Sequence, residues 1–296
     1  MQPYRSLLFV PAHKPDWVAK ALRAEVDAVI LDLEDAVPED AKASARDNLP
    51  DAVAEVRSTA PHVGAVVRPN ALTSAHGAAD LEAAVLAGAD VLLVPKVDTF
   101  QQLDRLDAVL SYVERRADVD DRRTEVIASL ESARGLLNAD TIVAAPRLDG
   151  ALAAAARDGD TARSVGFRWS AHGTETLAFR SKVVLACRAT GERHPVVGLW
   201  QDVHDLEGLR TFAEANRDLG FRGQVIIHPA HAEPVNTVYT PSPDLVAYYE
   251  GMIETWEAAS AEGQGAVAYD GDHIDIAHVR TARETVAFAR RLNGAR

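Results

Sequence analysis

The chain is poor in sulfur, in lysine and in long apolar runs. One cysteine, Cys187, stands in 296 residues, so an internal disulfide is excluded and a reducing, cytoplasmic compartment is the expectation. Cys187 lies in VVLACRA, a helical pattern; a buried structural thiol is expected there rather than a nucleophile. No apolar run approaches the roughly 20 residues of a membrane span, and that of MQPYRSLLFVPAHK is too short for a secretory signal. The formal charge is −13, which argues against a nucleic-acid surface. Of the 31 basic residues, 5 are Lys and 26 are Arg. That imbalance reads as coding bias, but it makes a lysine at a strand end more noticeable.

Eight short runs of β-branched or apolar residues recur at intervals of roughly 30 residues. They are SLLFVPA (6–12), AVILDLEDA (28–36), GAVVRPN (64–70), DVLLVPKV (90–97), EVIASLES (125–132), GALAAAARDGD (150–160), PVVGLWQDV (195–203) and GQVIIHP (223–229). Ala-, Leu-, Arg- and Glu-rich helical stretches lie between them. Such alternation predicts a parallel sheet, and eight units predict a closed (β/α)8 TIM barrel. With 47% hydrophobic residues, one domain over residues 1–230 can fill such a core. Residues 231–296 exceed what the last barrel helix needs. They predict a C-terminal helical extension: a helix in PDLVAYYEGMIETWEAASAEGQG, a short strand and turn in AVAYDGDHIDIAHV, and a last helix in RTARETVAFARRL.

Nearly every run ends in a polar residue, and in a barrel those ends share one mouth. Glu131 ends the fifth strand and Asp160 follows the sixth. Two carboxylates there suit a hard cation such as Mg2+, leaving positions for water and substrate; two solvated loop acids are the other reading. Arg68, held extended by Pro69, can grip an oxyanion with its planar fork or pair with a loop carboxylate. Asp32, Glu34 and Asp35 cluster after the second strand, with Asp32 and Glu34 on one side and Asp35 on the other. The inward pair can hold metal-bound water, or pair with Arg68 or Lys96; a solvated acidic loop is the alternative. His228 reads as a structural residue more readily than as a ligand or base.

The segments RSLLFVPA, ILDLEDAV, VVRPN, LLVPKV, SLESARGLLN, RSKVVLACRATG, DLEGLR, GFRGQVIIHPAHAEPVN and GQGAVAYDGDHID resemble, in order, the citrate lyase β-subunit-like family. It belongs to the HpcH/HpaI aldolase group and includes malyl-CoA and citramalyl-CoA lyases. The resemblance implies that Glu131 and Asp160 hold Mg2+, with Asp158 taking the second place if the alignment slips by two. It further implies that Arg68 contacts substrate and that Asp275, in the HID that stands where the family has a MID-type motif, is catalytic. Lys96, Asp32, Glu34 and Asp35 are expected to bind substrate or support those groups. The family's tail reaches into a neighbouring subunit, which implies a homo-oligomer, a trimer or hexamer. His273 replaces the usual Met, and RDGDTARSVG departs from the family's aromatic-rich loop; both changes touch specificity.

The implied reaction splits a 3-hydroxyacyl-CoA into an acyl-CoA and a 2-oxo acid, so the expected partners are a CoA thioester and a 2-oxo acid, with no nucleic acid and no membrane. Three alternatives stay open. They are a citrate lyase β-subunit acting on a carrier-bound citryl group, a CoA-independent oxo-acid aldolase, and a catalytically idle metabolite-binding homologue.

Overall fold

Eight parallel strands close on themselves in chain order. They are β1 (Ser6–Pro11), β2 (Ala28–Asp32), β3 (Gly64–Arg68), β4 (Val91–Val94), β5 (Glu125–Leu130), β6 (Leu148–Ala153), β7 (His194–Val197) and β8 (Gly223–Ile226). The ring is completed by β8 beside β1, with Leu7 opposite Val225 and Leu8 opposite Ile226. The computed structural model describes residues 3–119, 124–191 and 193–294. The (β/α)8 barrel expected from the rhythm is the observed architecture.

Alternation along each strand sorts the apolar side chains into two sets. Leu7, Ile30, Val66, Leu93, Ile127, Leu152, Val196 and Val225 fill the barrel interior. Their neighbours, such as Leu8, Val29, Leu31, Val67, Leu92 and Ala128, pack outward with residues of the helices. A strand buried on both faces must be apolar throughout, which is why these runs read as unbroken hydrophobic segments. Each fully buried Leu, Ile or Val contributes about 1.5–3 kcal/mol. Ile127, with no exposed surface, is a single position where truncation to Ala opens a cavity costing about 2–5 kcal/mol.

The helices end where their punctuation predicts. Gly88 closes the helix Gly77–Ala87 in the left-handed region at φ 82°, a conformation glycine adopts without strain. Thr99 and Gln102 form a capping box on Phe100–Arg116. Every strand stops before its run does, the sixth and seventh by the most. The sixth stops at Ala153, and Asp160 instead opens the helix Asp160–Val165. The seventh stops at Val197, because the chain then presses on its neighbour: a Cβ on Gly198 would stand 2.3 Å from the Ala155 nitrogen. Gln201 ties these two loops, accepting from the Arg157 N–H at 2.6 Å and donating to the Arg157 carbonyl at 2.9 Å.

The barrel unit runs to Tyr239 and the second compact unit from Thr240. The helix Ala232–Tyr239 falls with the barrel because it packs on β1 and β8. The second unit pairs the helices Pro243–Ala261 and Ile276–Gly294 with an antiparallel hairpin, β9 (Ala266–Tyr269) and β10 (Asp272–Asp275). Asp270 and Gly271, both at positive φ, make its two-residue turn, the Asp-Gly pairing such hairpins favour. Met252, Ile274 and Ala282 form its core, with Tyr248, Trp256 and Tyr269 packed around them. Among the described residues no helix is long and apolar enough to cross a membrane.

Candidate active site at the barrel mouth

The alternation that fills the barrel also selects which polar residues meet at its C-terminal end. Ile30 points inward, so Asp32 and Glu34 follow on the same side; Val66 leads to Arg68, and Ile127 to Ser129 and Glu131. Register sets Asp32 opposite Arg68 on adjacent strands. The outcome is a two-pronged pair: Arg68 Nε donates to Asp32 Oδ1 at 2.6 Å and Nη2 to Oδ2 at 2.7 Å. Asp32 also accepts from the backbone N–H groups of Glu34 and Ala36, so one buried carboxylate shapes the loop after β2. The third arm of Arg68, Nη1, lies 3.2 Å from Glu34 Oε2, and the guanidinium sits 4.6 Å from the centre of the Phe9 ring.

Glu34 links this group to Lys96. Lys96 Nζ donates to Glu34 Oε1 at 2.7 Å and stands 3.6 Å from Asp35 and 3.5 Å from Asp160 Oδ2. Burial pushes the Glu34 carboxyl upward, and the charges of Arg68 and Lys96 offset that only in part. Asp160 Oδ1 accepts from Arg163 Nη2 at 2.5 Å.

Glu131 and Asp160 line one cavity of about 230 Å³, together with Asp35, Arg68, Ser129 and Thr161 on the polar side and Phe9, Leu93, Leu152 and Val225 on the apolar side. Glu131 opens into this cavity, yet burial pushes its carboxyl up to about 7, against the Ser129 hydroxyl, Arg68 and Lys96, which favour the charged form. A desolvated carboxylate beside a second one is a hard-oxygen donor set with room for water and ligand, and it fits a divalent ion such as Mg2+. Among the described residues no cluster of three or more His, Cys, Asp or Glu is poised to ligate a metal; the carboxylates on the cavity lining are Glu131, Asp160 and the mostly exposed Asp35.

The mouth therefore brings together Asp32, Glu34, Asp35, Arg68, Lys96, Glu131 and Asp160. Asp158 does not line the cavity; it is exposed, at φ 56°. The Arg68 fork is turned on Asp32 at the end of β2, the carboxylate pairing that was one of its two expected roles, and the side chain also lines the cavity. Asp275, in the second unit, caps the helix Ile276–Gly294. It accepts from the Ala277 N–H at 2.9 Å and meets His278 Nδ1 at 2.8 Å. That contact and the backbone donors hold its carboxyl below the usual carboxylate range, where a water-excluded site would raise it. Cys187 is fully buried and burial pushes its thiol up to about 12, the inert thiol the helical pattern predicts. His228 Nδ1 accepts from the Ala230 N–H at 3.2 Å, a turn cap.

Four contributors escaped the sequence reading: Phe9, Ser129, Thr161 and Arg163. Phe9 stands two residues after Leu7 and Ser129 two before Glu131, so the same alternation could have found them. Thr161 Oγ1 is buried without a hydrogen bond among the described residues, a group that a ligand or water can satisfy. Arg163 lies one helical turn beyond Asp160.

The family model described as HpcH/HpaI aldolase/citrate lyase matches residues 5–229. A (3S)-malyl-CoA thioesterase of Cereibacter sphaeroides is 36% identical over 287 residues, covering 97% of this chain and 95% of the relative. The citrate lyase subunit beta of Escherichia coli is 31% identical over 286 residues, covering 96% and 93%. Among solved structures, the CitE protein of Mycobacterium tuberculosis in complex with magnesium, acetoacetate and coenzyme A is similar at a TM-score of 0.73 and 29% identity, covering 97% of this chain and 98% of that one. The citrate lyase beta subunit of M. tuberculosis complexed with oxaloacetate and magnesium is similar at 0.66 and 32%, covering 80% and 97%.

Proposed function

Given that the chain belongs to the HpcH/HpaI aldolase/citrate lyase family, we propose that it is a Mg2+-dependent carbon–carbon lyase. Its substrate is a 3-hydroxyacyl-CoA of the malyl-CoA or citramalyl-CoA kind, split into an acyl-CoA and a 2-oxo acid. The observation that carries this reading is the meeting of Glu131, Asp160 and Arg68 on one cavity at the strand ends. Relatives support it: one is named for malyl-CoA, and neighbours hold magnesium with small oxo acids or with coenzyme A.

Glu131 and Asp160 would hold the ion, which supplies Lewis-acid and template chemistry toward the oxo-acid half. Arg68 stays charged between Asp32 and Glu34. Its Nη1, at 3.2 Å from Glu34, is the arm less firmly engaged and can turn a donor to an oxygen whose charge changes during cleavage. Phe9, Leu93, Leu152 and Val225 keep the reacting carbons away from bulk water. Asp275 of a second copy is the group we assign to moving the proton at the α-carbon of the acyl-CoA. Its carboxylate is exposed and held charged by His278, and delivery into another subunit's water-excluded mouth would raise its basicity. The assembly is then a homo-oligomer in which the second unit, from Thr240 onward, packs on a neighbour.

A second reading is favoured by the name of the 36% identical relative: hydrolysis of the malyl-CoA thioester. One experiment separates the two. The purified chain with Mg2+ is given malyl-CoA, citramalyl-CoA and β-methylmalyl-CoA, and oxo-acid release and free thiol are followed together. Oxo acid without thiol supports the lyase; thiol without oxo acid supports the thioesterase; neither product from any of the three overturns both.

A further inference from the structure

Lys96 is held in a conformation its residue type resists. It lies at φ 56°, in the left-handed region that L side chains with a Cβ rarely adopt, directly after β4 and Pro95. Strain retained at a barrel mouth points to a position being kept for use. Its ammonium has three carboxylates around it: Glu34 at 2.7 Å, Asp160 at 3.5 Å and Asp35 at 3.6 Å.

The three contacts differ in kind. Glu34 is buried and also ion-paired to Arg68, so it anchors the ammonium. Asp35 is exposed, and a pair in water contributes little. Asp160 is the carboxylate that lines the cavity beside Glu131, and the ammonium stands over its Oδ2. Arg163 covers Oδ1, but that side chain is 80% exposed, so water replaces it readily. Lys96 is thus the cation tied into the buried network and standing on Asp160 at once.

Five carboxylates meet here (Asp32, Glu34, Asp35, Glu131 and Asp160) against three cations, Arg68, Lys96 and Arg163.

We propose that Lys96 is the resident counter-cation of this mouth, held through Glu34 to occupy Asp160, and that it sets how tightly the cavity retains a divalent ion. The proposal rests on the reading of Glu131 and Asp160 as the metal-holding pair. An ammonium 3.5 Å from Asp160 would lie no more than about 6 Å from an ion bound to that oxygen at its usual distance of about 2.1 Å. At that separation repulsion amounts to roughly a tenfold change in affinity even with the screening of bulk water.

The test is Mn2+ binding to the purified full chain, followed by the electron spin resonance of the free ion, in wild type, K96M, K96R and E131Q. Thermal melts with and without Mn2+ accompany it. K96M should bind Mn2+ about tenfold more tightly, melt lower without metal because Glu34 has lost a partner, and recover more than wild type on adding the ion. K96R, which keeps the charge, should stay near wild type. A Lys96 that only supports the fold would lower the melting temperature and leave the affinity unchanged or weaker, and that result overturns the proposal. Equal Mn2+ binding by wild type and E131Q is a different failure: it removes the metal pair itself, and the proposal with it.

Discussion

Arg68 and Asp32 face each other across β2 and β3 in a two-pronged ion pair, with Nε–Oδ1 at 2.6 Å and Nη2–Oδ2 at 2.7 Å. The carboxylate has no exposed surface, and it carries two backbone N–H groups as well. The orientation of the guanidinium at the cavity is therefore set by a residue one strand away, outside the cavity lining.

Asp32→Asn keeps the shape and removes the charge. One prong then meets an amide N–H where it needs an acceptor, and a buried guanidinium loses its main partner. Breaking a buried pair in this way costs about 3–5 kcal/mol, so the melting temperature should fall by several degrees and turnover per folded molecule should fall with it. Arg68→Lys should cost turnover by orders of magnitude with a smaller loss of stability, because a point charge cannot span both oxygens. An Asp32→Asn protein with wild-type melting and turnover would show that the pair positions nothing.

Glu131 predicts a pH dependence. Burial lifts its carboxyl from 4.5 to about 7, so the folded chain holds that proton more tightly than the unfolded chain does. The resulting stabilisation is fully present below pH 4.5 and is lost as pH rises through about 7. For the metal-free protein, Glu131→Gln should flatten this part of the melting profile between those limits, and Mg2+ should raise the wild-type melting temperature more at high pH than at low pH. Parallel profiles for wild type and Glu131→Gln would take the effect away from this residue.

Asp160 and Asp158 are separable by substitution. Asp160→Asn should abolish metal-dependent activity with the fold intact, while Asp158→Asn should leave activity within about twofold, as for an exposed position away from any strained or buried feature. Circular dichroism confirms folding, and the lyase assay decides. The reverse pattern would mean that the loop shifts by two residues when a metal binds.

Asp275 predicts complementation. Asp275→Asn and Glu131→Ala should each be inactive, and oligomers mixed from the two should recover part of the activity, because some mouths would combine an intact metal pair with an intact Asp275. Asp275→Asn alone should also lose exchange of the acyl-CoA α-proton with solvent. Mixed oligomers with no recovery would confine the tail's role to its own chain, and retained exchange would remove Asp275 from the proton transfer.

Period and punctuation were sufficient for the barrel. An apolar run of four to six residues that must be buried on both faces, followed by a helix with a defined cap, has few places to go other than a parallel ring, and the short strand and turn expected in AVAYDGDHIDIAHV is the hairpin that forms. Alternation put Asp32 and Glu34 on one side in the sequence, and in the structure the same two-residue period also carries Arg68 and Glu131 inward. The ends of the sixth and seventh strands were not legible, because the alanine run from Ala153 does not distinguish strand from loop and the close approach of Gly198 to Ala155 exists only once the two strands pair. The tertiary structure alone decided that the Arg68 fork is taken by Asp32, that Lys96 turns at positive φ onto Glu34 and Asp160, and that Asp160 rather than Asp158 lines the cavity. Those are distances between residues that lie on different strands and loops, and a sequence fixes such distances only through closure of the ring.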